Sequence, residues 1–387
     1  MADADRMGLS YQEETTFGVD PGSPTLKELR FTSESLSQVT GTVNSAEIRA
    51  DRQIVDHLRT SINVAGDINI ELSYSAFDDF FEAGLLSPDW TSEVTLTAID
   101  IAAVNSDNSI TSVANAFGSF TVNRWIKISG FTGTTANNGF ARISIATAAK
   151  LTLTGRTFVD DAAGESVTVV QGAEIVNSTE QRSFFFQKEY TDLTNIFARY
   201  NGCMIDTLTL TVPSDNIVTG SFGILGKLEV SSATDFDATK DAAPANEVMA
   251  GIEDITAILE PNSANSGFAS TQFSITLSNN LRQRLQIGTL GPISVGSGIV
   301  DVTGTLQAYF DSQTIIDKHL NFTDSSLAIQ FADSTGKGYV IDLPRVNYDS
   351  ANRVASGQNT DILADLTFSA FRNSTQNETI VIQRFVA

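Results

Sequence analysis

Asp78 and Asp79 stand side by side in SAFDDFFEAGLL, His57 sits in RQIVDHLR, and His319 sits in IIDKHLNF. These residue types could do acid–base or nucleophilic chemistry, and their spacing decides whether they do. Paired carboxylates must converge on one substrate, but neighbours in a helix point about 100° apart. Asp78 and Asp79 therefore read as a solvated first helical turn. The chain holds two histidines, one cysteine (Cys203) and no G-x-S-x-G elbow, so no nucleophile has a base beside it and no intrachain disulfide can form. Both histidines read as structural. TGKG (335–338) has Phe331 where a phosphate-cradling loop needs its first Gly, and Gly338 where it needs Ser or Thr. It reads as a hairpin turn. DFDATKD (235–241) alternates oxygen ligands as calcium loops do, yet lacks the central Gly and terminal Glu, and reads as a flexible acidic linker. Trp90 and Trp125 read as core residues, not sugar platforms. No catalytic residue, metal site or cofactor is expected.

The charge balance excludes further classes. Formal net charge is −22 and the sequence pI is about 4.3, a surface that repels nucleic acid and anionic lipid. The one basic stretch, EIRADRQIVDHLR, alternates Arg49, Arg52 and Arg59 with Glu47, Asp51 and Asp56, which suits a subunit contact better than a phosphate track. MADADRMGLSYQEE has no apolar signal core, and no stretch approaches 18 consecutive apolar residues. Neither a secretory leader nor a membrane span is expected.

The elements that carry these residues read as all-β: short alternating runs rich in Thr, Ser, Val, Ile and Phe, separated by Gly, Asn and Asp. One phrase occurs twice, NVAGDINIEL (63–72) and DVTGTLQAYF (301–310). In the first, Val64, Gly66, Ile68, Ile70, Leu72 and Tyr74 share one strand face, while Asn63, Asp67, Asn69, Glu71 and Ser73 share the other. In the second, Val302, Leu306, Ala308 and Phe310 oppose Asp301, Thr303, Thr305, Gln307, Tyr309 and Asp311. Each phrase precedes a short helical pattern. Ser75 is the expected N-cap of the first, with Asp78 three residues on, and Phe77, Phe80, Phe81 and Leu85 form its stripe. Ile315, Ile316 and Leu320 play the same part in the second. GCMIDTLTLTV (202–212) echoes GYVIDLPRVNY (338–348) through G-x-x-I-D, and IVTGSFGILG (217–226) echoes ILADLTFSAF (362–371).

The repeat exposes an insertion. Gly66 to Gly202 spans 136 residues, whereas Gly304 to Gly338 spans 34. Residues 95–178 read as a small inserted β-domain with six acids and five bases, net −1, so the rest of the chain carries −21 of the −22. The expected organisation is a first copy at 1–94 and 179–230, an insertion at 95–178, a linker at 231–251 and a second copy at 252–387.

The run AEIRADRQIVDHLRTSINVAGDINIELSYSAFDDFFEAGL, with LSYQEETTFG before it and DTLTLTVPSDNIVTGSFGILG after, resembles the major tail tube proteins of long-tailed bacteriophages. The likeness is to the subgroup with a duplicated tube domain, and it extends through LPRVNYDSANRVASGQNTDILADLTFSAF. The resemblance implies two tandem tube domains of β-barrel or sandwich type, four strands from each entering a continuous barrel. Three chains would then give a 24-stranded ring with a backbone radius of about 26 Å and a bore of roughly 40 Å. It implies a virion structural protein, assembled in the host cytoplasm, with itself, tape-measure, terminator and distal tail proteins as partners and with DNA passing unbound. Asp67, Asn69, Glu71, Asp301, Thr305 and Gln307 are the expected lumen residues. Arg49, Asp51, Arg52, Asp56 and Arg59, in the segment 47–61, and Arg282 and Arg284, in its looser Gly-rich counterpart 281–298, are the expected contacts between rings. The insertion is expected on the tube exterior. An adhesin-like surface protein would instead need a secretion signal, and a β-sandwich carbohydrate enzyme would need paired carboxylates in an aromatic cleft.

Overall fold

The structure is a computed structural model that describes residues 3–265, 267, 269–354 and 357–386. It is all-β, with two short helices. Eight strands form an unbroken run of antiparallel pairings: β1 (Ser37–Asn44), β2 (His57–Glu71), β3 (Phe197–Pro213), β4 (Thr219–Gly226), β5 (Ser270–Ser278), β6 (Asp301–Tyr309), β7 (Gly338–Val354) and β8 (Leu363–Ala370). Their spatial order is β1-β2-β4-β3-β5-β6-β8-β7. The order is one four-strand pattern used twice. β1-β2-β4-β3 recurs as β5-β6-β8-β7, and the pairing of β3 with β5 joins the halves.

A second layer repeats too. Met7–Glu13, Phe184–Tyr190, the first part of β3 and Leu228–Ser232 run in sequence in the first half. Ile255–Leu259, Ser325–Phe331, the first part of β7 and Val381–Phe385 do so in the second. Helix α1 (Asp78–Gly84) follows β2, and α2 (Thr314–Leu320) follows β6. A single hydrophobic core spans both halves, from Leu9 and Phe80 to Leu366 and Ile382.

Pairing register settles which residues correspond. β4 sets Gly66 opposite Ile224 and β8 sets Gly304 opposite Phe368, so the two repeated phrases are equivalent residue for residue. The shared glycine has a steric reason. A Cβ on Gly304 would lie 2.3 Å from both Phe368 Cζ and the Ser274 carbonyl, and one on Gly66 would lie 2.5 Å from the Ser35 carbonyl. The G-x-x-I-D echo, by contrast, is out of register. β3 skips Asp206 between Ile205 and Thr207, and β7 skips Asp349 between Tyr348 and Ser350, each in a one-residue bulge. Aligning the bulges sets Gly202 against Arg345, not Gly338. Strands of similar composition repeat short phrases without sharing a position; backbone hydrogen bonding fixes the alignment.

The residues between α1 and Phe184 hold a separate seven-stranded sheet running from Val94–Ala98 to Val167–Gln171, with its own core around Ile126, Ile143 and Val169. Ala173–Val176 already rejoins the large sheet, beside Val381–Phe385. Although inserted in the first half, this sheet packs on the second: Trp125 and Phe140 bury against Leu259, Ala328, Val340 and Phe385. Asp342 anchors it, accepting from Trp125 Nε1 at 3.2 Å, Arg142 Nε at 3.3 Å and Asn262 Nδ2 at 2.6 Å.

Four local expectations change. Helix α1 starts at Asp78 with Phe77 at the cap position and no side-chain cap; Ser75 instead has φ 57° and gives its N–H to Tyr339 Oη at 2.7 Å. Ser73 is fully buried, because β2's alternation ends where the chain meets Val248 and Arg30. Leu320 is 69% exposed, outside the stripe of Ile315 and Ile316. The 231–251 segment is pinned, not a free tether. Asp237 takes the Leu26 N–H at 2.9 Å, and Lys240 bridges Glu189 and Asp235.

Gly304→Val should cost about 1–3 kcal/mol or more through overpacking at a backbone contact, read as a lower thermal midpoint. An unchanged midpoint would contradict the steric reading of the repeated phrase.

Candidate functional site: an acidic open sheet face

Alternation along the eight strands sends one set of side chains into the core and the other to an open face. Cross-strand rows show which residues share that face. One row reads Asp67, Gly223, Thr207, Ser278, Asp301; the next reads Asn69, Ser221, Thr209, Thr276, Thr303, Ser369. A third reads Glu71, Thr219, Thr211, Ser274, Thr305, Thr367, Ser350. Asp67, Asn69, Glu71, Asp301, Thr305 and Gln307 therefore lie on one surface, with Asp67 and Asp301 about 19 Å apart at four strand spacings. Asp67, Asn69, Asp301 and Thr305 are exposed, and Glu71 and Gln307 half-buried.

Asp365 belongs to the same face and was not singled out from the sequence. It accepts from Gln307 Nε2 at 2.7 Å, and the alternation of Asp365, Thr367 and Ser369 in ILADLTFSAF carries its signal. Short polar pairs finish the surface: Asn69 Nδ2 to Ser33 Oγ at 2.8 Å, Thr209 with Thr276 at 3.3 Å, Ser350 with Thr367 at 2.8 Å. The three rows carry Asp67, Glu71 and Asp301 and no Lys or Arg; Asp365 lies beside Gln307, Asp349 accepts from Ser369 Oγ at 2.6 Å, and Arg345 stacks on Phe371 at the rim of the face on β7.

The expected contact residues divide between two loops at equivalent places. Arg49, Asp51, Arg52 and Asp56 lie in the exposed loop between β1 and β2, and Arg59 is exposed at the start of β2. Arg49 pairs with Asp51 at 2.9 Å, and Ile48 is 99% exposed. Arg282 and Arg284 lie between β5 and β6, in a two-stranded hairpin with Ser294–Gly296. That segment is not loose: Val295 is buried and Gln283 Nε2 reaches the Gly226 carbonyl at 3.4 Å. Its tip still exposes Leu285 and Ile287.

The chemistry-bearing residues have structural work. Asp78 is buried, not solvated, because it accepts from Tyr339 Oη at 2.6 Å and pairs with Arg384, tying α1 to β7 and the C-terminal strand. Asp79 points elsewhere, to Tyr11 Oη at 3.0 Å and Lys27 Nζ at 2.6 Å. His57 Nδ1 meets Asn44 Oδ1 at 2.6 Å, and His319 Nδ1 meets the Tyr348 carbonyl at 2.8 Å. Trp125 is fully buried, and TGKG closes the turn between Ser325–Phe331 and β7, where Asp333 Oδ1 takes the N–H of Thr335 and Lys337.

This combination defines a structural β-protein whose surfaces do the work: a two-fold repeated sheet, an acidic face and side-chain chemistry spent on holding elements together. The family description "Phage tail tube protein" matches residues 4–370, and the chain belongs to that family. Membership makes it a virion structural component that self-assembles and meets other tail proteins; this is not an enzyme family. No curated protein matches the chain. No helix among the described residues is long and apolar enough to cross a membrane.

Burial raises the pKa values of Asp78, Glu14, Glu82, Glu174 and Asp342 despite their hydrogen bonds and cationic neighbours. These groups contribute stability that is complete below their unfolded values of 3.8 (Asp) and 4.5 (Glu) and is lost as pH rises through the higher folded values. Hydrogen bonding lowers Asp51, Asp100, Asp107 and Glu165, whose contribution is present above those unfolded values and lost as pH falls through the folded ones. The urea midpoint should therefore rise as pH is lowered from neutrality toward the unfolded carboxylate values, then fall in stronger acid. A midpoint that climbs steadily as pH rises from the unfolded carboxylate values to neutrality would contradict this assignment.

Proposed function

We propose that three copies of this chain close into a 24-stranded ring, and that stacked rings form the tail tube through which the genome passes. The observation that carries the reading is the eight-stranded sheet with one acidic face, whose three cross-strand rows hold carboxylates, hydroxyls and amides and no Lys or Arg. Eight strands per chain give, for three chains, a bore of about 40 Å. With the open face inward, Asp67, Glu71, Asp301 and Asp365 repel phosphate. Cationic contacts would have to be broken one after another as DNA advances, so their absence lowers friction.

The inserted domain fits the tube exterior in this arrangement, since it docks on Asp342 and the C-terminal strand in the outer layer, away from the open face. The loop at 45–56 and the hairpin tip at 285–293 then meet the adjacent ring. Exposed Ile48, Ile54, Leu285 and Ile287 would supply apolar contact, and Arg49, Asp51, Arg52, Asp56, Arg59, Arg282 and Arg284 a rim of mixed charge.

The combined changes Asp67→Lys, Glu71→Lys, Asp301→Lys and Asp365→Lys should leave tubes of normal appearance while slowing DNA ejection at low salt, with recovery as salt screens the new cations. Ejection at the unmodified rate in low salt would sink the lumen assignment. Ile48→Asp with Ile54→Asp should keep single rings and shorten or abolish tubes, seen by sedimentation and negative-stain microscopy. Full-length tubes from that variant would remove the loop from the contact between rings.

A further inference from the structure

The sheet has two ends without strand partners among the described residues: the outer edge of β1 and the outer edge of β7 from Asn347 to Val354. Each is the structural counterpart of an edge that is paired inside the chain. β1 corresponds to β5, because Glu34 and Ser37 face Ile68 and Ala65 as Phe273 and Thr276 face Leu306 and Thr303. β7 corresponds to β3 through the bulges at Asp349 and Asp206.

The internal joint therefore acts as a template. There, Thr207 faces Ser278, Leu208 faces Leu277, Thr209 faces Thr276 and Leu210 faces Ile275, while the Asp206 carbonyl takes the Asn279 N–H at 2.8 Å. We propose that β7 of one protomer pairs antiparallel with β1 of a second copy in this same register. Ser350 faces Val39 of the second copy, Ala351 faces Gln38, Asn352 faces Ser37 and Arg353 faces Leu36, with the Asp349 carbonyl accepting from Thr40. The proposal rests on the ring reading above and adds to it which edges meet, and how.

The outward groups of β1 are guarded in the single chain. The Gln38 N–H donates to Glu229 Oε2 at 2.9 Å, and the Leu36 N–H donates to Glu34 Oε2 at 2.8 Å. The Leu36 carbonyl accepts from Lys188 Nζ at 2.6 Å and Tyr200 Oη at 3.2 Å. Pairing exchanges these side-chain partners for backbone ones, so the capped edge is satisfied alone yet able to join, and is protected from indiscriminate strand addition. Because Leu36, Gln38 and Thr40 direct their backbone groups outward, Val39 and Ser350 form a non-hydrogen-bonded pair. Their Cα atoms would lie about 4.5 Å apart, within disulfide reach.

Ser350→Cys with Val39→Cys, assembled under reducing conditions and then oxidised, should link most chains within rings on a non-reducing gel. Native Cys203 is fully buried and does not compete. Asn352→Cys with Val39→Cys places the thiols two residues out of register, about 7–8 Å apart diagonally, and should stay unlinked. In the unmodified protein, the amides of Thr40, Ala351 and Arg353 should exchange about tenfold more slowly, or slower still, once rings form. Rings in which the offset pair links preferentially, or in which those amides gain no protection, overturn the register while leaving the ring reading intact. Failure of the unmodified protein to form rings overturns the ring reading itself.

Discussion

The antiparallel pairing of Thr207–Pro213 with Gln272–Ser278 is the interaction on which the rest of the structure depends. A strand edge presents backbone donors and acceptors that must find partners, and an open sheet always has two such edges. Here each half of the chain brings a four-stranded piece, and the joint between them satisfies one edge from each. What remains is one eight-stranded sheet whose ends match each other as the inner edges do. Covalent duplication thus makes the first joint intramolecular, where loop closure replaces the entropic cost of bringing separate molecules together. The joint is reinforced on the core side by Asp78, held by Tyr339 and Arg384, and by Asn279 Nδ2, which reaches the carbonyls of Gly84 at 2.9 Å and Ile205 at 3.1 Å.

The same period-two geometry that builds the sheet separates its functions. Val64, Ile68, Leu208, Phe222, Ile275, Val302, Leu306 and Phe368 enter one continuous core, while their neighbours along each strand carry hydroxyls, amides and carboxylates on the open side. A one-residue slip in any strand would exchange the two sets, so the buried face enforces the composition of the open one. Charge follows this division. The inserted sheet is almost neutral at −1, and the duplicated body holds the acidity.

The repeat was legible where backbone sterics leave a mark in the sequence. NVAG and DVTG align residue for residue because Gly66 and Gly304 each sit where a side chain would strike a neighbouring carbonyl. The alternation of the first phrase up to Leu72 and of the second, the helix stripe of Phe77, Phe80, Phe81 and Leu85, and the TGKG turn follow from local rules and stand as read. What failed depended on distant partners. Asp78 looked solvated because its partner Tyr339 lies 261 residues away. Ser75 looked like a cap until that same hydroxyl took its N–H. The G-x-x-I-D echo misled by seven positions because bulges at Asp206 and Asp349, invisible as letters, set the register. Asp365 was visible in its strand's alternation but lacked an echo in the first copy, where Ser221 faces Asn69 as Asp365 faces Gln307 in the second.

Cryo-electron microscopy of the purified, assembled protein tests the central claim most directly. The account predicts a tube of three-chain rings with 24 strands around a bore of about 40 Å, lined by Asp67, Glu71, Asp301 and Asp365. Single unassembled chains, or a polymer in which those four carboxylates face outward, would contradict it.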